Sequence, residues 1–338
     1  MQLIILFGVI GMLQNFDKIP SVSVLMPVYN GEKFIKDAIT SVLNQTFQDF
    51  EFIIINDGST DRSEEIILSF NDPRIRYFKN NVNLKLISTL NKGLDLCRGK
   101  YIARMDCDDF AYPHRLETQF VFMESNTDHG LCGSDIDIDG DYKSWVAIGD
   151  MEFIKFCFLF LNPLSHPTAF LRTSTIKENK LYYPKEYIHA EEYIYWLNIM
   201  NYSKVANLPE KLLRYRFHSD QISTLFKNEQ IQIGKRIKLL LFNKIVLIST
   251  EGMKKTHLII AEIFTKAIEQ SNHIRLDHTI LENMSFNFGG WVSVNQLRLW
   301  IFSMKISLFF RKKWDSVYLR TLICKVEEGL KFKVKNSI

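Results

Sequence analysis

The chain carries Lys100-Tyr-Ile-Ala-Arg-Met-Asp-Cys-Asp-Asp109, a short apolar segment that runs directly into a group of carboxylates. The apolar run Tyr101–Ala103 predicts a buried strand. Asp106 and Asp108 are two residues apart, so on an extended chain they point to the same side. With Asp109 they repel each other unless a positive charge lies among them. Oxygen ligands at a strand end suit a hard divalent cation such as Mg²⁺ or Mn²⁺, and an acidic, solvated loop is the alternative.

Strands and helices alternate on the amino-terminal side of this stretch. Apolar residues at positions 34, 35, 38, 39, 42 and 43 follow the helical period, and a second helix is predicted over 86–97. Four short apolar runs predict strands: Val22–Val28, Glu51–Ile55, Ile75–Phe78 and Tyr101–Ala103. This alternation indicates an α/β sandwich with a mostly parallel sheet.

Polar residues follow three of the predicted strands. Tyr29 and Asn30 come after the first strand, Asp57 after the second, and the acidic cluster after the fourth. Ligands of open α/β sheets bind outside the carboxyl ends of the strands. Three polar strand ends at one edge therefore favour a ligand site over a solvated acidic loop, and a divalent cation there suits a diphosphate.

Composition bounds the class of protein. The chain has 338 residues, 46% of them hydrophobic and 24% charged, which is ordinary for a globular protein of one large or two smaller domains. Its net charge of +4 is too mild to indicate a nucleic-acid partner. The cysteines have no metal-binding spacing and are expected to be reduced thiols: Cys97, Cys107, Cys132, Cys157 and Cys324.

Both ends of the chain differ from its middle. The apolar run Leu3–Leu13 is too short to span a bilayer and lacks the features of a secretory signal, so it is either an interfacial anchor or the result of a start codon upstream of the true one. We therefore treat 1–20 as an apolar extension. Helical patterns dominate 226–338, and basic and aromatic residues interleave over 301–338. That segment is either a surface for anionic lipid or a solvated helix face with a buried aromatic side.

Several segments after the acidic cluster allow two interpretations. The alternating acids over 135–141 predict an acidic loop or hairpin rather than a calcium site. Glu191 and Glu192 begin a predicted helix, where the macrodipole alone favours acidic residues. The segment 213–218 is basic and aromatic, and is also typical of a strand with a polar edge.

Over residues 21–225 the chain resembles the inverting glycosyltransferases of family 2, which have the GT-A fold, a Rossmann-like three-layer α/β sandwich. It is most similar to bacterial lipooligosaccharide enzymes that transfer galactose or N-acetylgalactosamine. The motifs that carry the resemblance are Val24–Asn30, Ser41–Thr46, Ile55–Asp61, Ala103–Asp109, His166–Thr168, Ala190–Tyr193 with Trp196, and Tyr215–His218.

The resemblance implies a UDP-sugar donor and a divalent cation, Mn²⁺ or Mg²⁺. Pro27, Tyr29 and Asn30 would lie along the nucleoside, and Asp57 would accept a hydrogen bond from N3–H of the base. Asp106 would lie near the ribose and the metal, and Asp108 would bind the metal. Arg104 is either a donor-site residue or an ion-pair partner of the acidic cluster, and His218 is either a metal or diphosphate ligand or a structural residue.

The resemblance also implies an acceptor, a base and a location. The acceptor would be a saccharide or glycolipid of the bacterial surface, and the enzyme would be cytoplasmic or peripheral on the inner membrane face through 301–338. The family's base lies in a Glu-Asp pair, here replaced by Glu191-Glu192, and we name Glu192 as base with Glu191 as the alternative. Two further departures are Asn56 for an Asp and Lys85 for a Gly. The rival functions are a nucleotidyltransferase and a non-catalytic nucleotide- or sugar-binding module.

Overall fold

The computed structural model describes residues 19–139, 146, 148, 151–158 and 162–248. Within them one eight-stranded sheet has the order β3-β2-β1-β4-β7-β6-β8-β5. The strands are β1 Val22–Val28, β2 Phe50–Asn56, β3 Ile75–Lys79, β4 Tyr101–Arg104, β5 Phe110–Ala111, β6 His129–Ile138, β7 Phe170–Arg172 and β8 Lys204–Tyr215. The helices are α1 Ile35–Leu43, α2 Ser63–Leu68, α3 Leu86–Leu96, α4 Arg115–Ser125, α5 Met151–Cys157, α6 Thr173–Glu178, α7 Glu191–Ile199, α8 Ile222–Leu225 and α9 Lys227–Ile248, with a 3₁₀ turn at His166–Thr168.

The first four strands form the parallel half of the sheet. β1 pairs in parallel with β2 on one side and β4 on the other, and β2 pairs in parallel with β3. Val28 lies opposite Asn56 at the carboxyl end of β1 and β2. The loops after β1, β2 and β4 therefore leave the same edge of the sheet, as the sequence predicts.

The sheet lies between two helical layers because its central strands are apolar on both faces. Along β1, Val24 and Met26 belong to a core shared with α1 and α4, whereas Leu25 belongs to a core shared with α3 and α7. All residues of β1 and β2 are buried. Trp196 of α7 is among the largest fully buried side chains. The three-layer α/β architecture predicted from the sequence is present.

The second half of the sheet is mixed in direction. β7 runs antiparallel to both of its neighbours, β4 and β6, while β6 and β8 are parallel to each other. The predicted acidic loop or hairpin over 135–141 is wrong for its first residues, because Asp135 and Asp137 lie within β6, and Asp141 lies outside the described residues. Cross-strand cations stabilise this acidic strand: Lys211 bonds Asp137, and Arg214 lies 2.5 Å from Asp139.

Some predictions fall outside the described residues. They include nearly all of the apolar extension over 1–20, the basic segment over 301–338, and the part of the predicted helical region beyond residue 248. Within the described ranges, the cysteines at 97, 107, 132 and 157 are free thiols. No helix among the described residues is long and apolar enough to cross a membrane.

Candidate donor and catalytic site

The loops after β1 and β2 are tied together by hydrogen bonds. The Asn30 backbone N–H donates to Ser59 Oγ at 3.0 Å, and the Thr60 N–H donates to Asn30 Oδ1 at 2.9 Å. Asn30 has a positive φ of 51°, a conformation that asparagine tolerates better than most residues. Tyr29 is half exposed at this edge, whereas Pro27 is buried as the penultimate residue of β1. We call the loops that follow β1, β2 and β4 the rim of the sheet. Tyr29 and Asn30 thus form part of this rim, and Pro27 lies beneath it.

Asp57 is buried at the carboxyl end of β2. Its Oδ1 accepts hydrogen bonds from Asn80 Nδ2 at 2.8 Å and from the Leu84 backbone N–H at 2.9 Å. Gly58 permits the close approach of the loop that carries Leu84, because a Cβ at Gly58 would meet the Val82 carbonyl carbon at 2.7 Å. Gly58 also has φ +70°, a left-handed conformation that glycine adopts without strain.

Lys85 ends this loop in a backbone conformation that normally requires glycine. Its φ of 71° and ψ of 160° place it where a Cβ is strained by about 1–3 kcal/mol. We expect Lys85→Gly to raise the free energy of unfolding by about 1 kcal/mol, because the relieved strain exceeds the extra entropy of unfolded glycine. Thermal denaturation should show a midpoint about 2–4 °C higher.

Lys85→Ala is the matched control, since it removes the charged side chain but keeps the Cβ. We expect its melting temperature to stay close to that of the unmodified protein. An equal gain from both variants would attribute the effect to the lysine side chain rather than to the backbone.

The carboxylates after β4 form a compact acidic cluster. One oxygen from each of Asp106, Asp108 and Asp109 lies within 4.8 Å of the other two. His218, which follows β8, has Nε2 at 2.9 Å from Asp108 Oδ2. Burial, together with the charge of Asp108, raises the pKa of Asp106 to about 6, and the same causes raise the pKa of Asp109. The structure thus joins His218 to the acidic cluster across more than a hundred residues of sequence.

This donor set fits a hard divalent cation. Carboxylate oxygens with one imidazole nitrogen suit Mn²⁺ or Mg²⁺ better than a soft metal. Among the described residues, Asp109 Oδ2 and His218 Nδ1 are buried without a hydrogen-bond partner. Uncompensated buried carboxylates are costly, so a bound cation would relieve both the desolvation and the mutual repulsion of the cluster.

Arg104 lies between the acidic cluster and a second carboxylate group. Its side chain is 4% exposed, and its Nη1 forms an ion pair with Asp106 Oδ2. Its positive charge also favours the ionised forms of Glu191 and Glu192. The prediction that Arg104 is an ion-pair partner of the acidic cluster is therefore confirmed, whereas its role as a donor-site residue stays a prediction.

The second carboxylate group consists of Glu191 and Glu192 in the first turn of α7. One ligand atom each from His166, Glu191 and Glu192 lies within 4.8 Å of the others. Glu191 is buried, and its Oε2 has no hydrogen-bond partner among the described residues. Asn162 Nδ2 donates to Glu192 Oε1 at 3.1 Å. Burial and the charge of Glu191 raise the pKa of Glu192 to about 8.

The two carboxylate groups are close enough to interact electrostatically. The charge of Asp106 raises the pKa of Glu191, and Arg104 acts on residues of both groups. Asp57 follows β2, and β1 alone separates β2 from β4, so the two strands that lead to Asp57 and to the acidic cluster are about 10 Å apart. The structure therefore places the predicted donor, metal and catalytic residues at one edge of the sheet, apart from Pro27, which is buried beneath it.

Sequence reasoning missed three partners of these residues. Asn162 bonds Glu192, Tyr183 O–H lies 3.0 Å from His166 Nε2, and Asn80 bonds Asp57. The motif His166–Thr168 singled out His166, but its partner Tyr183 lies in a loop whose sequence has no recognisable pattern. The asparagines carry no sequence signal, because their partners lie 30 and 23 residues away.

Comparisons with known sequences agree with this geometry. The model of the family described as glycosyl transferase family 2 matches residues 23–185. An uncharacterized glycosyltransferase of Haemophilus influenzae is 38% identical over 235 residues, which are 65% of this chain and 72% of that protein. The O-antigen biosynthesis glycosyltransferase WbnJ of Escherichia coli is 31% identical over 207 residues, covering 59% of this chain and 80% of WbnJ.

Solved structures share the fold. Staphylococcus aureus TarS 1–349 in complex with UDP-GlcNAc has a TM-score of 0.55 and 18% identity, covering 79% of this chain and 80% of that one. The mannosyltransferase PcManGT of Pyrobaculum calidifontis in complex with GDP-Man and Mn²⁺ has a TM-score of 0.53 and 12% identity, covering 93% and 86%. The GT-A fold predicted from the sequence is confirmed.

These two relatives, both named glycosyltransferases, align over most of their own length. The family model covers the strands and helices that build the rim from Tyr29 through the acidic cluster. The chain belongs to glycosyl transferase family 2 and is a glycosyltransferase.

Proposed function

We propose that this glycosyltransferase moves a hexose or N-acetylhexosamine, with inversion, from a UDP-sugar to a saccharide acceptor of a bacterial surface polysaccharide or lipooligosaccharide. The observation that carries the proposal is that the acidic cluster with His218 and the Glu191–Glu192 pair both interact electrostatically with the buried Arg104. The O-antigen role in the name of WbnJ and the UDP-GlcNAc bound to TarS support the acceptor and donor classes.

Asp106, Asp108 and His218 are proposed to hold a divalent cation, Mn²⁺ or Mg²⁺. When bound, such an ion would neutralise the charge that develops on a departing nucleoside diphosphate. The Mn²⁺ in the PcManGT complex supports the choice of ion. The ion pair of Arg104 with Asp106 holds that carboxylate in place and lowers the net negative charge that the diphosphate meets.

Glu192 is proposed to remove the proton from the acceptor hydroxyl as its oxygen attacks the anomeric carbon. The attack comes from the face opposite the leaving group, which gives inversion. Asn162 holds one carboxylate oxygen and leaves the other available as proton acceptor. Glu191 is the alternative base, although its buried position favours an electrostatic effect on Glu192.

The pair predicts how the rate depends on pH. A base acts only when ionised, so the rate of transfer should rise with pH and level off above about 8, the raised pKa of Glu192. Glu191→Gln removes the negative charge that raises this pKa. The pH range over which the rate rises, called the rising limb below, should therefore move to lower pH. The measurement is kcat/KM between pH 5.5 and 9.5.

Glu191→Asp is the control for that shift, since it preserves the charge and should leave the limb near its original pH. A limb that stays in place in Glu191→Gln would contradict an electrostatic role of Glu191.

The function is tested with a panel of UDP-sugars. We expect Mn²⁺-dependent UDP release from one or a few of them, abolished by EDTA and stimulated by a cognate saccharide. Nucleotide binding without turnover under any acceptor would support the non-catalytic module instead. The rival nucleotidyltransferase requires a glycine-rich phosphate loop with Lys or Arg after β1, where this chain has Tyr29–Glu32. A cytoplasmic location, with or without membrane contact through 301–338, stays a prediction.

A further inference from the structure

Asp57 is held by a buried network on one of its two carboxylate oxygens. Asn80, which follows β3, is buried, and its Nδ2 donates to Asp57 Oδ1 at 2.8 Å and to Thr89 Oγ1 at 3.2 Å. The Leu84 backbone N–H donates to the same Asp57 Oδ1 at 2.9 Å. That oxygen therefore has both of its lone pairs engaged by protein donors.

Lys92 of α3 fixes the orientation of the Asn80 side chain. Its Nζ donates to Asn80 Oδ1 at 2.6 Å. An ammonium group only donates, so the amide oxygen must face Lys92 and the amide nitrogen must face Asp57. The Asn80 backbone is itself anchored, because its N–H donates to the Asn56 carbonyl at 2.8 Å. Both neighbours of the Asn80 amide thus require the same orientation, since the Asp57 carboxylate only accepts and the Lys92 ammonium only donates.

The second oxygen of Asp57 is the one left for a ligand. No described residue donates a hydrogen bond to Oδ2. It can accept from the single N3–H of uracil, which stands between two carbonyls. Guanine presents N1–H and the exocyclic N2–H₂ side by side, and a carboxylate matches that edge only with both oxygens free. Adenine and cytosine place a ring nitrogen lone pair at this point, which a carboxylate repels.

We infer that Asn80 and Lys92 are specificity-determining residues that restrict the donor to uracil nucleotides by leaving Asp57 a single free acceptor. The inference rests on the proposed function, in which Asp57 receives the nucleobase. The fold alone does not determine which base is bound, since solved structures of this fold hold either UDP-GlcNAc or GDP-Man. A guanine bound here would leave one donor unpaired, so we expect UDP to bind about 10- to 100-fold more tightly than GDP.

The test is calorimetric titration of UDP and of GDP, with Mn²⁺ present, into the full chain and three variants. Asn80→Ala frees a lone pair on Asp57 Oδ1 and should reduce the preference for UDP at least about 5-fold. Lys92→Met leaves Asn80 Oδ1 without its ammonium donor, so the amide is held less firmly against Asp57 Oδ1, and we expect weaker UDP binding and a smaller preference for UDP. Because Lys92→Met keeps the buried amide of Asn80, this variant still tests the inference if Asn80→Ala fails to fold.

Lys79→Met is the matched control. Lys79 directly precedes Asn80, but its ammonium pairs with Glu64 at 2.6 Å, so we expect the preference for UDP to be unchanged. Equal affinities of the unmodified protein for UDP and GDP would overturn the inference, as would an unchanged preference in both Asn80→Ala and Lys92→Met. UDP-sugar turnover combined with equal affinities would reject this selection alone, whereas binding of neither nucleotide would contradict the proposed function and the inference together.

Discussion

Replacing Glu192 with glutamine should lower the rate of sugar transfer by about 10²- to 10⁴-fold, the usual contribution of a general base. Glutamine keeps the size of the side chain and can still accept the hydrogen bond from Asn162, but it cannot take a proton. Because the proposed nucleotide contacts lie elsewhere on the rim, we expect UDP affinity to change little. The measurements are kcat for transfer above pH 8 and calorimetric UDP binding.

Glu191→Gln is the matched control for this variant, since it removes the neighbouring carboxylate and retains Glu192. It should keep substantial activity above pH 8, where Glu192 is ionised. Near-normal turnover by Glu192→Gln would assign the base to Glu191. Equal losses in both variants would instead indicate that the pair acts as one proton acceptor.

Asp108→Asn should lower metal-dependent UDP-sugar hydrolysis by about 10²- to 10³-fold. The change removes a negative charge from the acidic cluster and replaces the carboxylate oxygen that lies 2.9 Å from His218 Nε2. The Mn²⁺ concentration for half-maximal activity should rise at least about 10-fold. Mn²⁺ titrations of binding and of activity measure the two effects separately.

Asp128→Asn is a suitable control, because Asp128 is an acid paired with Lys204 at 2.7 Å, outside the rim. It should bind Mn²⁺ and hydrolyse donor normally. An unchanged Mn²⁺ concentration for half-maximal activity in Asp108→Asn would contradict the assignment of this carboxylate to the cation.

Local periodicity was sufficient to predict the parallel half of the sheet. β1, β2 and β4 are runs of apolar residues bounded by polar turns, and α1 follows the helical period. Because parallel strands end at one edge, the position of Asp57 at the same edge as the acidic cluster follows from the strand assignment alone. The family motifs then supplied the expected roles.

Pairings between distant segments could not be predicted in the same way. The acids of β6 by themselves resemble a loop, and their partners Lys211 and Arg214 come from β8, more than 70 residues away in sequence. Arg104 was assigned two alternative roles because no pattern shows that it is buried between two carboxylate groups. Lys85 departed visibly from the family, but its positive φ is a property of the folded loop.

The hydrogen bonds between the segments after β1 and β2 bear on the conformational cost of binding a nucleotide. Asn30 and Glu32 each donate a backbone N–H to a side chain of the loop after β2, and Gly31 donates to Ser63 at the start of α2. A ligand that docks on this rim therefore meets a surface whose shape is already set, and little conformational entropy is lost when the complex forms. We therefore expect these two loops to have nearly the same conformation with and without a bound nucleotide.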